Sequence, residues 1–494
     1  MKKFFKKNLL EIILAILIIS YIIIFSLLSI RRYLSLNSHY YDLGIMDQVV
    51  YNTSRGRILE MTNQQLKKNV SRLAIHFDPI LIFFTPFYKI YSGPEVLLIG
   101  QTIILALGAW PIFLISQKTI NKKLLGLIFA SLYLLFFPVQ RANLFDFHPV
   151  VLATTFLLWA IYFNLIKKNR WSFLFIFLSL LTKEQVGLIV AFYGFYLIFI
   201  KKDKRYGFWL SFLGIIFFVS TVFLIIPYFR QESHFALRYF GDFGDSSNPM
   251  IKNFLSPSII SKYFFRQETF IYITQLIKPN FYSLFSPLTL LISLPEWLIN
   301  ILSSNSNMRA IYFHYHSLII PFLFYSLILG YKNFHRLVKN SWLQGMIFLL
   351  FLYFNFQSIY RYNPWPTDWV KNPGGPYRID NQKLATIRLW QKKLSDENIK
   401  VATTPKLAPF FTERKTYINF LYDPAFYSMG FNEKEILEKK LNDYQTADFV
   451  IINKDEINKA SDSLPLKFYN NFKTDANFSM IFFDNKSIEV YKKI

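Results

Sequence analysis

The chain has 494 residues, of which 53% are hydrophobic, 19% aromatic and only 17% charged, with a formal net charge of +24. Soluble domains carry about 25% charged residues, so an ordinary cytosolic enzyme is excluded. The apolar bulk assigns the lysines and arginines to membrane flanks rather than to nucleic acid. With no cysteine, disulfides, thiolate nucleophiles and thiolate-held metals are excluded as well.

A bilayer core about 30 Å thick takes roughly 20 apolar residues per spanning helix, and residues 9–30 supply the first such run. Lys2, Lys3, Lys6 and Lys7 precede it and no small-residue cleavage site follows. An uncleaved anchor with a cytoplasmic N-terminus is therefore predicted. Further apolar runs fall at 95–116, 124–140, 149–166, 171–182, 186–200, 207–229, 268–282, 285–303, 316–330 and 341–359, giving eleven predicted crossings. Pro279, Pro287 and Pro295 leave the boundaries in 260–303 open. The basic connections Lys118/Lys122/Lys123, Lys167/Lys168/Arg170, Lys201/Lys202/Lys204/Arg205 and Lys332/Arg336/Lys339 then all join the N-terminus on the cytoplasmic side. Segments 31–94, 141–148, 182–186 and 304–316 meet on the outer face, together with the C-terminal region.

From about residue 380 the composition changes to polar helices alternating with short β-rich runs, the pattern of a separate α/β domain. The expected order is helix 382–395, strand 399–404, helix 405–413, strand 415–419, helix 432–445, strand 448–453 and a hairpin through Asp484-Asn485-Lys486. The division is thus a membrane domain over 1–359 with its first outer loop at 31–94, a Pro/Gly-rich linker over 360–379, and an extracytoplasmic domain over 380–494, read as a lid or an acceptor-recognition module. No glycine-rich phosphate fingerprint follows any strand.

Chemistry-bearing residues concentrate on the predicted outer face. Asp42 and Asp47 stand five apart in the first outer loop; as the alternative to a functional role, Asp42 caps a helix starting at Leu43. Asp78, before Pro79, can cap a helix over 79–91 in the same way. The second outer loop ends Asp146-Phe-His148-Pro149, a weak metal signal by itself because a competent site needs three or four converging ligands. His76, Asp78, Asp146, His148, Lys183, Glu184, His314 and His316 are all expected at one level. The bland alternative is that these rings populate the membrane interface, where amphipathic side chains are favoured.

The phrases Asp42-Leu-Gly-Ile-Met-Asp-Gln, His76-Phe-Asp-Pro, Gln101 with Leu107-Gly-Ala-Trp-Pro, Phe145-Asp-Phe-His-Pro, Lys183-Glu-Gln, Leu294-Pro-Glu, His314-Tyr-His and Val401-Ala-Thr-Thr-Pro resemble an uncharacterised family of polytopic membrane proteins related to the GT-C glycosyltransferases. The resemblance covers most of the chain. It implies a polytopic α-helical GT-C-like protein in the cell membrane, taking a sugar from a polyprenyl-phosphate donor and passing it to an unknown acceptor at the outer face. Asp42 then occupies the position of the acidic residue that follows the first helix, and Asp47 is its nearest substitute. Asp146 and His148 orient the acceptor, or hold a divalent metal if one is used. Lys183, Arg141, Arg309, His314 and His316 are the candidates for the donor phosphate, and His76, Asp78 and Glu184 for the cavity wall. Arg141 can instead anchor its helix to headgroups, and Lys183 can pair with Glu184. Gln185 departs from the acidic residue of the family pattern, which removes any role for two adjacent carboxylates there. The rival functions are a transporter or flippase, for which neither an internal repeat nor mid-helix charges beyond Glu11 and the Lys183/Glu184 turn are found, and a non-catalytic envelope scaffold or sensor.

Overall fold

The computed structural model describes residues 8–231, 240, 256–365, 375–422, 432–457 and 463–494. Most of the expected linker, 366–374, lies outside the described residues.

The molecule is mainly helical, and a helix covers every apolar run named above. Among the described residues, four helices are long and apolar enough to cross a bilayer: Leu9–Leu34, Pro94–Ile120, Lys204–Arg230 and Ser341–Tyr362. A fifth arises if Lys123–Leu134 and Phe137–Leu144, bent by 41° at their break, count as one span. The other apolar helices are shorter. The pair Val186–Phe199 and Lys204–Ser220 packs backbone against backbone through glycines: a Cβ on Gly214 would lie 2.4 Å from the Gly187 carbonyl oxygen, and one on Gly194 2.6 Å from that of Gly207. Small residues permit this close approach.

Outside the helices, β1 (Glu60–Asn63) and β2 (Lys68–Ser71) form an antiparallel hairpin in the first outer loop. The C-terminal sheet has the order β4 (Tyr417–Asn419), β3 (Val401–Thr403), β5 (Phe449–Asn453), β7 (Ile488–Lys493), β6 (Phe478–Phe483). β3 runs parallel to β4 and β5, while β7 runs antiparallel to β5 and β6. The β6–β7 turn closes because Asp484 Oδ1 accepts the backbone N–H groups of Lys486, Ser487 and Ile488 and Asn485 takes φ +60°, a conformation asparagine tolerates.

Helix 382–395 is found as Asn381–Lys393, whereas the expected helix 405–413 is a single 3-10 turn, Ala408–Phe410. Pro405 and Pro409 account for this, since each removes a backbone donor. A further helix, Leu464–Lys473, was not foreseen.

Both faces of the sheet are covered. Val401, Ile451 and Val490 point to one side, where they share a core with Tyr33, Tyr40, Val49 and Leu97 of the first outer loop and its flanking helices. Ala402, Val450, Ile452 and Tyr491 point to the other, onto Ile436, Phe468 and Phe472. This is the period-two alternation of a strand with an apolar layer on each face. Tyr33 stacks on Phe410 at 4.5 Å between ring centroids and Tyr40 on Tyr417 at 4.7 Å, and Arg57 pairs with Glu397 at 2.9 Å. The C-terminal segment is therefore seated on the first outer loop through a shared apolar core.

Candidate functional site

The first helix, Leu9–Leu34, carries Arg31 and Arg32 in its last turn, and a π-turn over Tyr40–Gly44 carries Asp42. Asp42 does not cap a helix; its carboxylate Oδ1 lies 3.1 Å from His148 Nε2. His148 Nδ1 faces the Phe145 carbonyl at 3.0 Å. Both ring nitrogens of His148 therefore face an oxygen acceptor. Burial pushes the Asp42 carboxyl up, but the hydrogen bond and charge of His148, with His39 and Arg32, outweigh it and hold the group below the usual carboxylate range. Asp42 remains partly exposed, with 27% of its side chain accessible against 8% for His148.

The second outer loop is shaped by a buried glutamine. Gln101 Nε2 donates to the carbonyls of Asp146 (2.7 Å) and Asn143 (3.2 Å), and its Oε1 accepts the His148 backbone N–H at 2.9 Å. Asp146, at φ +52°, turns its carboxylate to Arg32 and accepts Ser38 Oγ at 2.5 Å. It thereby ties the second outer loop to the end of the first helix. Asp146 and His148 do not converge on a metal position: one is engaged by Arg32 and Ser38, and the other's ring nitrogens face Phe145 and Asp42. Among the described residues no group of three or more His, Cys, Asp or Glu side chains could hold an ion.

His314 stacks on His148 with ring centroids 3.7 Å apart and planes 21° apart, and its Nδ1 is buried without a hydrogen-bond partner among the described residues. Burial first, then the charges of His148 and Lys183, push the His314 ring well below its ordinary pKa, so it stands neutral. His316 Nε2 faces the Pro138 carbonyl at 3.1 Å, which makes it a tie between segments.

In the turn between the helices Asn169–Leu180 and Val186–Phe199, Glu184 accepts the Phe77 N–H at 3.1 Å and faces His76 Nδ1 at 2.9 Å. Burial pushes the His76 ring down to about 3, against the opposing charge of Glu184. Asp78 does not cap the following turn. It forms a buried pair with Arg72, whose Nη2 lies 2.8 Å from Oδ2, and burial outweighs that pairing to raise its carboxyl. Gln185 Nε2 donates to Glu296 at 2.8 Å. Lys183, half-buried in the same turn, does not pair with Glu184: its ammonium has no hydrogen bond or ion pair among the described residues, while its charge acts on His76, Asp78 and His314.

Three candidates lie elsewhere in the network. Asp47 is buried against the C-terminal segment, accepting from Tyr88 Oη (2.8 Å) and Thr412 Oγ1 (2.7 Å); burial and then Glu413 raise its carboxyl well above the usual range. Arg141 donates to the Tyr362 carbonyl at 2.8 Å and lies over the Tyr312 ring, capping the Ser341–Tyr362 helix. Arg309 is committed to Glu268 at 3.0 Å and to the Ser303 carbonyl at 2.6 Å. Arg32, Arg72 and Ser38 were not singled out in the sequence. For Arg32 a signal existed, because two adjacent arginines close a largely apolar helix of 26 residues.

None of the curated proteins matches the chain. Among solved structures, the crystal structure of ArnT from Cupriavidus metallidurans bound to undecaprenyl phosphate aligns with a TM-score of 0.51 at 11% identity, over 96% of this chain and 98% of that one. The apo structure of the same protein aligns over the same shares at 12% identity, with a TM-score of 0.48. At such identity the likeness is one of fold. A family model described as predicted membrane protein (DUF2079) matches residues 32–480, and the chain belongs to that family.

Proposed function

We propose that the protein is a GT-C-type membrane glycosyltransferase that takes a sugar from a polyprenyl-phosphate donor at the outer face. The observation that carries this is the Asp42 carboxylate, partly open to solvent and held ionised by His148, whose ring stacks on His314, the ring that the charge of Lys183 acts on. In this reading the acceptor hydroxyl attacks the anomeric carbon while Asp42 takes its proton, and the bond from that carbon to the phosphate oxygen breaks. Lys183 offsets the charge growing on the departing phosphate. His148 orients Asp42, and the neutral His314 packs behind it. The same proposal keeps the N-terminus cytoplasmic, takes each of the eleven apolar runs across the cell membrane, and leaves the C-terminal segment outside. It draws support from the fold shared with ArnT, which was crystallised with undecaprenyl phosphate.

The test is binding of undecaprenyl phosphate to the purified full chain, read by native mass spectrometry, beside release of polyprenyl phosphate from a sugar-loaded donor. Charge-assisted hydrogen bonds contribute about 1.5–3 kcal/mol, so Lys183→Gln should weaken lipid-phosphate binding by about ten- to a hundredfold. Asp42→Asn should leave binding intact and remove a factor of about 10²–10⁴ in turnover. Equal affinity for undecaprenyl phosphate and undecaprenol, or full turnover by Asp42→Asn, would refute the proposal.

A further inference from the structure

Between the outer end of the first helix and the C-terminal segment lies a cavity of about 150 Å³, floored by residues 34–37 and walled by Arg378, Asp380, Lys383, Lys406, Asp455 and Glu456. A water's share of liquid volume is about 30 Å³, so the space holds a small polar headgroup rather than a few stray solvent molecules. Its three cations and three carboxylates balance in number, but they are not all paired with one another. Lys383 is taken by Asp455, and Asp380 Oδ1 accepts the Lys383 N–H at 3.0 Å as the helix cap. Glu456 Oε2 accepts the Lys406 backbone N–H at 2.9 Å, while its Oε1 is buried with no hydrogen-bond partner among the described residues. The Arg378 guanidinium and the Lys406 ammonium have neither hydrogen bond nor ion pair among the described residues.

A ligand that satisfies this wall offers an anionic group to Arg378 and Lys406 and a hydrogen-bond donor to Glu456 Oε1. Guanidinium geometry matches phosphate with two parallel hydrogen bonds, and a buried carboxylate oxygen without a donor is costly until one arrives. Asp42 does not line the cavity, but the segment carrying Lys406 meets the turn that carries Asp42: the Tyr40 N–H donates to the Pro405 carbonyl at 3.1 Å, and the charges of Lys406 and Asp42 both act on His39.

We infer that this cavity binds a phosphoryl headgroup bearing an amine or hydroxyl, and that it is the subsite holding the polar head of the acceptor. Its role as an acceptor subsite rests on the transfer reading above; the binding itself does not. The headgroup's chemistry is the same whether it comes from a lipid or from a soluble phosphate ester.

The experiment is isothermal titration of the full-length protein, purified in phosphate-free detergent, with O-phosphoethanolamine as probe and ethyl phosphate as the analogue lacking the amine. The wild type should bind the probe saturably and prefer it to ethyl phosphate. The double variant Arg378→Gln/Lys406→Gln should weaken binding by at least about tenfold while still unfolding cooperatively, since neither side chain has a hydrogen bond or ion pair among the described residues to lose and the charge of Lys406 acts on His39 and Glu456 without contact. Glu456→Gln should abolish the preference for the amine. Asp42→Asn should bind as the wild type does, so loss of turnover there and loss of probe binding here are separate failures. Competition by phosphatidylethanolamine in nanodiscs supports a lipid source, and its absence with retained probe binding supports a soluble one. No saturable binding, or binding untouched by the double variant, overturns the inference.

Discussion

Removing the Asp146 charge should destabilise the protein measurably. Asp146 is 1% exposed in its side chain and its partner Arg32 16%, and breaking a buried pair by deleting one member costs about 3–5 kcal/mol because the other charge is left uncompensated. Asparagine tolerates φ +52° as aspartate does and keeps an oxygen for Ser38 and Arg32, so Asp146→Asn belongs at the low end, about 3 kcal/mol. Alanine loses the oxygen and adds about 1 kcal/mol of left-handed backbone cost, which places Asp146→Ala at the upper end. Unfolding entropy of about 2.1 cal/mol/K per residue over 494 residues makes one degree worth roughly 1 kcal/mol. The expected losses in melting temperature are therefore about 3 °C and about 5 °C. The assay is thermal unfolding of the full chain in detergent, followed by tryptophan fluorescence. Arg32→Met combined with Asp146→Asn should recover most of the loss, because no unpaired charge remains. A melting temperature for Asp146→Asn within about 1 °C of the wild type, or a double variant no better than the single one, would refute the account of Asp146 as an electrostatic tie.

Two pH-dependent predictions follow from the outer loop. Burial raises the Asp47 carboxyl, so the folded state holds a proton that the unfolded chain releases; its contribution is present at acid pH below the ordinary carboxylate range and is lost as pH rises toward the folded value. Asp47→Asn should flatten that loss and melt no lower than the wild type at pH 7.5, and a clear drop there would contradict it. His76 has the opposite sign: its ring is pushed down to about 3, so its contribution is complete above about 6.5 and is lost as pH falls from there toward the folded value. His76→Gln should make the melting curve shallower on the acid side, and an unaltered acid slope would count against the buried neutral ring.

Membrane character, the positions of the apolar helices and the order of the C-terminal strands were legible in the chain because they rest on local properties: run length, basic flanks and period-two alternation. The hairpin at Asp484-Asn485 was legible for the same reason, since a side chain bonding its own backbone needs no distant partner. Helix 405–413 and the caps assigned to Asp42 and Asp78 came out differently because another interaction won each time. Prolines shortened the first, and His148 and Arg72 captured the two carboxylates from 106 and 6 residues away.

The amino-acid sequence by itself determined that this is a helical membrane protein, because burial of apolar runs in lipid is decided run by run. Tertiary structure alone decided which of its polar groups meet. Asp42 is joined to His148, and Lys183 is left uncommitted among the described residues while Arg141 and Arg309 are not. Those pairings depend on a buried glutamine, an arginine at a helix end and a sheet pressed against a loop. Each is a long-range contact whose energy appears only when distant segments close around it.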